Sequence, residues 1–288
     1  MPLVVTGATG QLGRLVVEAL LERGTAPDSI TATGRAVDRL GDLADRGVRT
    51  AAFDFDAPAD GVIGAGDVVL LVSGSEVGRR VDQHRGVVDA AVRAGAARIV
   101  YTSALFADDT PLILAPEHAA TEAIIRSSGL PFTFLRNGWY SENYRPAFEQ
   151  ARQSGSILGS ARAGRVSAAP RADFAAAAAA VLAGPGHENA VYELGGDSAF
   201  TLDELAGMAG RALATDVVYR DVDAVEHERL LREAGVDAAT AGFLVGLDRN
   251  TAEGALFTGS GDLSRLLGRP TTPMEETVRS WAGAGGAL

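Results

Sequence analysis

Residues 3–13 read LVVTGATGQLG, and this stretch decides the fold class of the chain. Leu3–Val5 is an apolar run typical of a buried strand, and Gly7, Gly10 and Gly13 follow it with the spacing G-x-x-G-x-x-G. Apolar residues then recur at helical spacing from residue 12 onward. A strand, a glycine-rich turn and a helix in this order are typical of a dinucleotide site, because the backbone can approach a pyrophosphate and the helix N-terminus holds the anion. A glycine-rich turn without a ligand is the alternative.

The same alternation of strands and helices continues to residue 137. Apolar runs predict strands at 30–33, 49–53, 67–72, 97–101 and 130–135, with helices at 37–45, 81–93 and 116–127. Strands that are apolar throughout, with crossover helices between them, predict a parallel sheet that is covered on both faces. We therefore expect a doubly wound α/β domain, a Rossmann fold that binds NAD(P), over residues 1–137.

The pattern changes after residue 137. Residues 138–170 are mixed and rich in Gly and Ser, and the rest of the chain predicts one strand at 191–194 and helices at 172–183 and near 201–214, 223–234, 237–246 and 273–282. We expect residues 138–288 to form a smaller α+β lobe that binds the substrate, with the helix at 172–183 packed back on the first domain. The run Ala175–Ala180 in this helix serves packing, because alanine favours helices and allows close approach to the sheet.

Composition excludes several classes of function. The chain has 288 residues, a net charge of −11 and no cysteine, and its histidines show no H-x-x-x-H spacing: His84, His118, His187 and His227. We therefore expect no metal site. An acidic chain without a basic cluster is not expected to bind nucleic acid or an anionic membrane. No secretory leader or membrane span is recognisable, so we expect a cytoplasmic protein.

Positions after the second, third and fourth strands indicate which dinucleotide is bound. An NAD site usually carries an acidic residue about 20 residues past the glycines, but here the segment contains Arg35 and no acid. A guanidinium suits the 2′-phosphate of NADP, whereas a solvated surface arginine is the alternative. Asp54 can accept from the adenine amine or serve as a plain loop residue. Ser73–Ser75, with Gly74 at its centre, lets the backbone pass close to a ribose.

The chain resembles the NmrA-like branch of atypical short-chain dehydrogenase/reductases and, within it, the NAD(P)H:quinone oxidoreductases of type 2. The stretches that carry the resemblance are VTGATGQLG, LLVSGSEVGRR with QHR, YTSALFADDTPL, RNGWYSENY, RADFAAAAA, VYELGGDSAFTLDELA and GRPTTP. The glycine motif is shared by the whole superfamily, whereas RNGWYSENY and GRPTTP are more specific to the quinone-reductase group. The resemblance implies an NADP(H)-binding domain, a small C-terminal substrate lobe and a cleft between them.

The resemblance also places cofactor contacts along the chain. Together with Asp54, the expected cofactor-binding residues are Gly7, Ala8, Thr9, Gly10, Gln11, Leu12, Gly13, Arg35, Ser73, Gly74, Ser75, Asn137, Gly138, Trp139, Tyr140, Ser141, Glu142 and Arg171. Ordinary members of the superfamily use a Tyr-x-x-x-Lys pair to move the substrate proton. When the helix at 116–127 is aligned by the Gly-Leu-Pro after it, Leu114 stands at the tyrosine position and His118 at the lysine position. This loss puts ordinary alcohol or ketone dehydrogenation in doubt.

Three residues are the catalytic candidates: Asn137, Tyr140 and His118. Asn137 can bind a carboxamide or a quinone oxygen, or it can be a turn residue before Gly138. His118 can be a proton donor because its ordinary pKa lies near neutral, although a lone histidine is more often structural.

An aromatic group follows the sixth predicted strand and comprises Trp139, Tyr140, Tyr144 and Phe148. Aromatic side chains suit a flat, apolar quinone, and tyrosine adds a donor; a core between the domains is the alternative. Arg171 begins a helix, where the dipole disfavours a cation, so it serves a ligand or forms a salt bridge with Asp173 or elsewhere.

The expected function is NADPH-dependent quinone reduction by direct hydride transfer without flavin. A hydroquinone anion is a weak base that water can protonate, so this reaction survives the loss of the Tyr-Lys pair. One alternative is an NmrA-like redox sensor that binds NADP(H) without turnover, and another is a reductase of some other enone or imine. The resemblance is compatible with a homodimer.

Overall fold

Seven parallel strands form the central sheet of the computed structural model, which describes residues 1–284. The strands are β1 (Leu3–Val5), β2 (Ile30–Gly34), β3 (Arg49–Ala52), β4 (Val68–Leu71), β5 (Arg98–Ala104), β6 (Phe132–Asn137) and β8 (Ala190–Leu194). Their order in the sheet is β3-β2-β1-β4-β5-β6-β8. The order reverses between β1 and β4, and ligands of open α/β sheets bind at such a reversal. The predicted doubly wound α/β fold is confirmed.

Helices cover both faces of this sheet. The helices of the first half are α1 (Gln11–Glu22), α2 (Gly41–Asp45), α3 (Arg80–Ala94) and α4 (Ala115–Ser127). Val16 and Leu20 of α1 pack on one face together with Phe174 and Ala178, which belong to α6 (Arg171–Ala183). On the other face α3 and α4 bury Val87 and Ile125 against β5. The alanine-rich α6 therefore packs against α1, where small side chains allow close approach.

The remaining elements are α5 (Arg145–Ser154), β7 (Ser156–Gly159), α7 (Leu202–Leu213), β9 (Val218–Asp221), α8 (Ala224–Glu233), α9 (Ala238–Ala252), α10 (Asp262–Leu267) and α11 (Met274–Ala284). Most of them form a second hydrophobic core, whereas α10 packs on α6 and β8 and buries Leu263 in the first core. β7 and β9 pair in parallel as a separate two-stranded sheet. Phe148, Phe200, Leu205 and Trp281 are central to the second core.

Two parts of the second half differ from the sequence expectation. The strand predicted at 191–194 within the smaller lobe is β8, which pairs with β6 as the seventh strand of the main sheet. A division of the chain at residue 137 therefore cuts the main sheet. The predicted helix at 237–246 continues to Ala252 as α9, and α5, β7, β9 and α10 had no sequence prediction. No helix within residues 1–284 is long and apolar enough to cross a membrane.

Candidate functional site

The glycine-rich turn brings the start of α1 against the end of β1. Gly7 has φ +63°, a left-handed conformation that glycine adopts without strain. A Cβ on Gly13 would lie 2.5 Å from the carbonyl oxygen of Gly7, so only glycine fits where the helix crosses the turn. Arg14 is the first residue of the helix whose N–H reaches a carbonyl, that of Gly10. Within residues 1–284, the preceding N–H groups have no backbone partner and can hold an anion: Gln11, Leu12 and Gly13.

A cleft of about 510 Å³ runs from this turn along the carboxyl ends of the strands, and we call it the long cleft. Its lining includes these residues expected at the cofactor: Gly7, Thr9, Gly10, Gln11, Leu12, Gly13, Arg35, Asp54, Ser73, Gly74, Ser75, Tyr140 and Arg171. Six lining residues were not foreseen: Gly34, Phe53, Phe55, Val72, Glu76 and Gln83. Gly34 has a visible reason to be glycine, because a Cβ there would come within 2.6 Å of the Thr9 side chain.

Ala8 is the member of the glycine turn that does not line the long cleft. Its side chain is buried, and its N–H donates to the Thr33 carbonyl over 2.8 Å. The contact between Ala8 and the cofactor stays a prediction, and the Ala8 N–H group is already used to fix the turn on β2.

Arg35 lies at the exposed end of the long cleft. Its guanidinium donates to Glu76 over 3.2 Å, and two thirds of its side chain is exposed. Glu76 also accepts hydrogen bonds from Arg79 and Gln83. Asp54 lines the same end, where its Oδ1 accepts the N–H of Asp56 over 3.1 Å. Arg35 is thus free to turn toward an anion in the cleft, with Glu76 as the partner that it would leave.

Side chains from the first turns of α3 hold the loop Ser73–Ser75 through hydrogen bonds to the backbone of Gly74. His84 Nε2 accepts the Gly74 N–H over 3.0 Å, and Arg80 Nε donates to the Gly74 carbonyl over 2.7 Å. Burial, and to a lesser extent the Arg80 charge, lower the pKa of His84 to about 3. The ring is therefore neutral at physiological pH, which it must be to accept the Gly74 N–H. The sequence analysis missed His84 as a residue that fixes this loop.

A second pocket of about 260 Å³ opens beside the long cleft, and we call it the side pocket. Ser73, Tyr140 and Arg171 line both, so the two spaces are adjacent. The other lining residues of the side pocket are Arg80, Ser103, Ala104, Leu105, Leu112, Leu114, His118, Asn137, Gly138, Trp139, Asn143 and Leu256. The lining combines leucines and one tryptophan with a few polar groups, a mixture typical of a small-molecule site.

Asn137 and Tyr140 form the polar pair of the side pocket. Asn137 Nδ2 donates to the Tyr140 hydroxyl oxygen over 3.1 Å, while its buried Oδ1 has no partner among the described residues. Burial raises the pKa of Tyr140, so the phenol keeps its proton. In this arrangement the Tyr140 oxygen accepts and its hydrogen remains free to donate. The Arg171 guanidinium lies over the Tyr140 ring, 4.6 Å from its centroid, in a cation–π contact.

His118 lines the side pocket but cannot act as an imidazolium at neutral pH. The side chain is buried, and burial together with the nearby Arg80 charge lowers its pKa to about 3. A hydrogen bond of 2.8 Å joins its Nδ1 to the Tyr101 hydroxyl. The expectation of a proton donor with a near-neutral pKa is corrected, because desolvation disfavours the charged ring. As a neutral ring, His118 can still exchange hydrogen bonds with a ligand.

Three expected residues, Gly138, Ser141 and Glu142, differ in their position relative to the two spaces. Ser141 is fully buried away from both spaces, and the Glu142 carboxylate accepts the Arg171 N–H at the start of α6 over 3.0 and 3.1 Å. Neither Ser141 nor Glu142 lines the long cleft or the side pocket. Gly138 does line the side pocket, and its N–H donates to the Leu194 carbonyl.

The aromatic group divides between the site and the core. Trp139 and Tyr140 line the side pocket, whereas Tyr144 packs edge-on against Phe200 and Phe148 packs against Trp281. The expected aromatic surface for a quinone is therefore reduced to Trp139 and Tyr140, because Tyr144 and Phe148 pack in the hydrophobic core.

Arg171 does not pair with Asp173, which instead accepts from Arg269 over 2.7 Å and from the Thr272 N–H over 2.7 Å. Arg171 donates to Asn143 over 3.0 Å, and its charge lies 3.5 Å from Glu142. Because Arg171 lines both the long cleft and the side pocket, it lies between the ligands that these two spaces could hold.

Comparisons with known proteins agree with this geometry. Residues 7–185 match a family model described as NAD(P)H-binding. The chain is 42% identical over 279 residues to quinone oxidoreductase 2 of Escherichia coli (strain K12), covering 96% of this chain and 97% of that protein. The structure of the Escherichia coli NADPH-dependent quinone oxidoreductase QOR2 complexed with NADPH superimposes with a TM-score of 0.91 at 41% identity, over 97% of this chain and 99% of that one.

A second solved relative extends the comparison to another reductase. The triphenylmethane reductase of Citrobacter sp. superimposes with a TM-score of 0.91 at 34% identity, over 98% of this chain and all of that chain. The similarity in both cases spans the second half as well as the sheet. The chain therefore belongs to the NAD(P)H-binding family, in the group that includes quinone oxidoreductase 2.

Proposed function

We propose that this protein is an NADPH-dependent quinone oxidoreductase that reduces its acceptor by direct hydride transfer, without flavin. The observation that carries the proposal is the adjacency of the long cleft and the side pocket, which share Ser73, Tyr140 and Arg171. The first has the glycine turn of a dinucleotide site, and the second has the apolar lining that a flat quinone needs. The relatives named as quinone oxidoreductases support the choice of acceptor.

The residues of the long cleft fit NADPH. Free N–H groups at the start of α1 suit the pyrophosphate, and the left-handed Gly7 leaves the turn open to it. Arg35 suits the 2′-phosphate once it leaves Glu76, and Asp54 suits the adenine amine. The backbone of Ser73–Ser75 suits a ribose. The unpartnered Asn137 Oδ1 suits an N–H donor, and the carboxamide of a nicotinamide is such a donor.

A bound nicotinamide supplies the hydride. The protein orients the acceptor beside it, and Trp139 and the leucines of the side pocket exclude water. Tyr140 donates its free hydrogen to an acceptor oxygen, because its own oxygen already accepts from Asn137. Asn137 thus positions Tyr140 through Nδ2 and the carboxamide through Oδ1. His118, as a neutral ring, can exchange a hydrogen bond with the acceptor. Water protonates the released hydroquinone anion.

The experiment that tests this function is NADPH oxidation with and without a simple benzoquinone or naphthoquinone, with NADH in parallel. Wild type should oxidise the cofactor only when quinone is present, and it should then oxidise NADPH faster than NADH. Arg35→Ala should lose most of that preference, because a phosphate-binding guanidinium contributes about 1.5–3 kcal/mol, equivalent to about 10- to 150-fold. Binding of NADPH without turnover on any quinone would contradict the proposal and favour the redox sensor.

We also propose a cytoplasmic location and a division of labour in which residues 1–137, completed by α6 and β8, bind NADP(H), while the rest of the lobe at 138–288 closes the acceptor side. Leu256 at the side pocket comes from that lobe, whereas β8 and α6 complete the first domain.

A homodimer is compatible with the proposal. Light scattering on the purified chain measures the oligomeric state directly.

A further inference from the structure

Arg80 is a buried cation at a position that both the helix dipole and desolvation disfavour. It is the first residue of α3, where the helix dipole repels positive charge, and only 6% of its surface is exposed. Its side chain nevertheless lines the side pocket. A charge held in such a place at a cost in stability is typical of a functional site.

The contacts of Arg80 leave part of its guanidinium available. Nε donates to the Gly74 carbonyl over 2.7 Å, and one terminal nitrogen donates to Glu117 over 3.1 Å. A guanidinium has five N–H donors. Two are used, so three have no partner among the described residues. Glu117 comes from the first turn of α4, is more exposed than Arg80, and does not line the side pocket.

Three other polar residues of the side pocket, Ser103, His118 and Arg171, are less suited to meet an anion. The Ser103 hydroxyl donates to Glu122 over 2.6 Å, so its hydrogen is not free. His118 is neutral. The charge of Arg171 lies over the Tyr140 ring and beside Glu142, and its NH2 group donates to Asn143. Of the two arginines that line this pocket, Arg80 has three guanidinium N–H donors without a hydrogen-bond partner within residues 1–284.

We propose that Arg80 is a catalytic residue whose guanidinium stabilises the negative charge that the quinone acquires during reduction. This inference rests on the proposed function. The quinone accepts a hydride, which is two electrons and one proton, from the C–H bond that breaks on the reduced nicotinamide, and becomes a hydroquinone monoanion. The second proton comes from water. Arg80 thereby supplies the positive charge that the Tyr-Lys pair, here Leu114 and His118, does not provide.

The field of Arg80 already acts on its neighbours. After burial itself, its positive charge is the next cause of the lowered pKa of both His84 and His118. A charge that disfavours imidazolium formation at these rings favours an anion placed among them. Glu117 compensates this charge from the solvent side, so the potential in the side pocket depends on both partners.

Two neutralising variants separate an electrostatic role from a structural one. Arg80→Gln removes the cation, and with saturating NADPH it should slow hydride transfer to quinone by about 100-fold. Glu117→Gln removes the compensating anion while it keeps an oxygen for the Gly78 N–H, which Glu117 accepts over 2.7 Å. This variant should transfer hydride about threefold faster, because the pocket becomes more positive. Arg80→Lys keeps the charge and should recover about tenfold over Arg80→Gln.

A binding measurement gives a second readout that does not depend on turnover. A nitrophenol, whose phenolate form is coloured, mimics the hydroquinone anion in the side pocket. Its apparent pKa when bound to wild type should lie about one unit below that of Arg80→Gln. Glu117→Gln should lower it further. Retained NADPH affinity, measured by fluorescence titration, shows for each variant that the loop at Ser73–Ser75 is intact.

The outcomes distinguish this inference from the proposed function. If wild type does not reduce quinones, the proposed function fails, whereas the nitrophenol pKa still reports on Arg80. If both neutral variants slow turnover and the bound nitrophenol ionises equally in all of them, the Arg80–Glu117 pair is structural and the inference is overturned. Opposite effects of the two variants on both readouts support it.

Discussion

The glycine turn and the side pocket lie at the same edge of the sheet, but they are built differently. The turn is one continuous segment, residues 7–13, and it offers backbone N–H groups. The side pocket draws side chains from α3, β5, α4, β6 and the segment after α9. The backbone of a turn is set by local sequence, whereas a pocket made of side chains depends on how distant segments pack. Mutations should therefore act through backbone geometry in the first region and through chemistry in the second.

The largest effect should come from a methyl group added in the glycine turn. Gly13→Ala places a Cβ 2.5 Å from the Gly7 carbonyl oxygen, a backbone atom that can move only if β1 and α1 separate. We expect a loss of about 2–4 kcal/mol in the free energy of unfolding, by analogy with overpacked cores, and no measurable NADPH binding. Urea unfolding and fluorescence titration with NADPH measure the two effects.

The same substitution at Gly242 is the matched control for Gly13→Ala. Gly242 lies inside α9, where a Cβ would meet nothing within 4 Å. Gly242→Ala should stabilise the protein by about 0.5–1 kcal/mol, because alanine favours a helix. Equal stability changes at the two positions would refute the steric explanation.

Loss of one hydroxyl in the side pocket should affect chemistry without affecting the fold. Tyr140→Phe removes the hydrogen that we assign to the acceptor, and we expect hydride transfer to slow by about 10- to 100-fold. NADPH affinity should stay within about twofold, since the ring still packs against Phe174 at 5.2 Å. Single-turnover kinetics at saturating NADPH measure the rate.

Tyr144→Phe makes the identical chemical change four residues later, in the hydrophobic core. Its turnover should stay within about twofold of wild type. A comparable loss in both variants would mean that the segment as a whole, rather than the Tyr140 hydroxyl, matters for the rate.

At neutral pH the smallest effect is expected at His118, because this residue changes stability only in acid. The folded pKa of His118 is about 3, below its ordinary value of 6.5, so the unfolded chain binds a proton there before the folded chain does. Stability from this residue is therefore present above about pH 6.5 and is lost as the pH falls toward 3. His118→Gln should flatten the fall in the urea midpoint over this range.

His187→Gln is the control for this pH dependence. Its pKa is also lowered by burial, but the side chain is only partly buried, so its contribution to the acid slope should be smaller. Equal flattening by the two variants would contradict the assignment to His118. Turnover of wild type should show no inflection from His84 or His118 between about pH 5.5 and 8, because neither ring titrates there.

Sequence patterns predicted much of the first half because its signals are local. Apolar runs located all six strands before residue 137, and the glycine motif located the start of the long cleft. The patterns failed where a role depends on partners. Nothing near His84 in the chain shows that it accepts the Gly74 N–H, and Phe148 looks like its aromatic neighbours although it packs on Trp281.

The sequence by itself determined the doubly wound sheet, the glycine turn and the arginine after β2, because strand burial, helix periodicity and tight turns are written in consecutive residues. Only the tertiary structure decided the membership of β8 in the sheet, the neutral state of His118 and the place of Arg80. These properties arise from pairing, desolvation and charge between segments far apart in the chain, as for Arg80 and Glu117, 37 residues apart. Folding alone brings such groups within reach of each other.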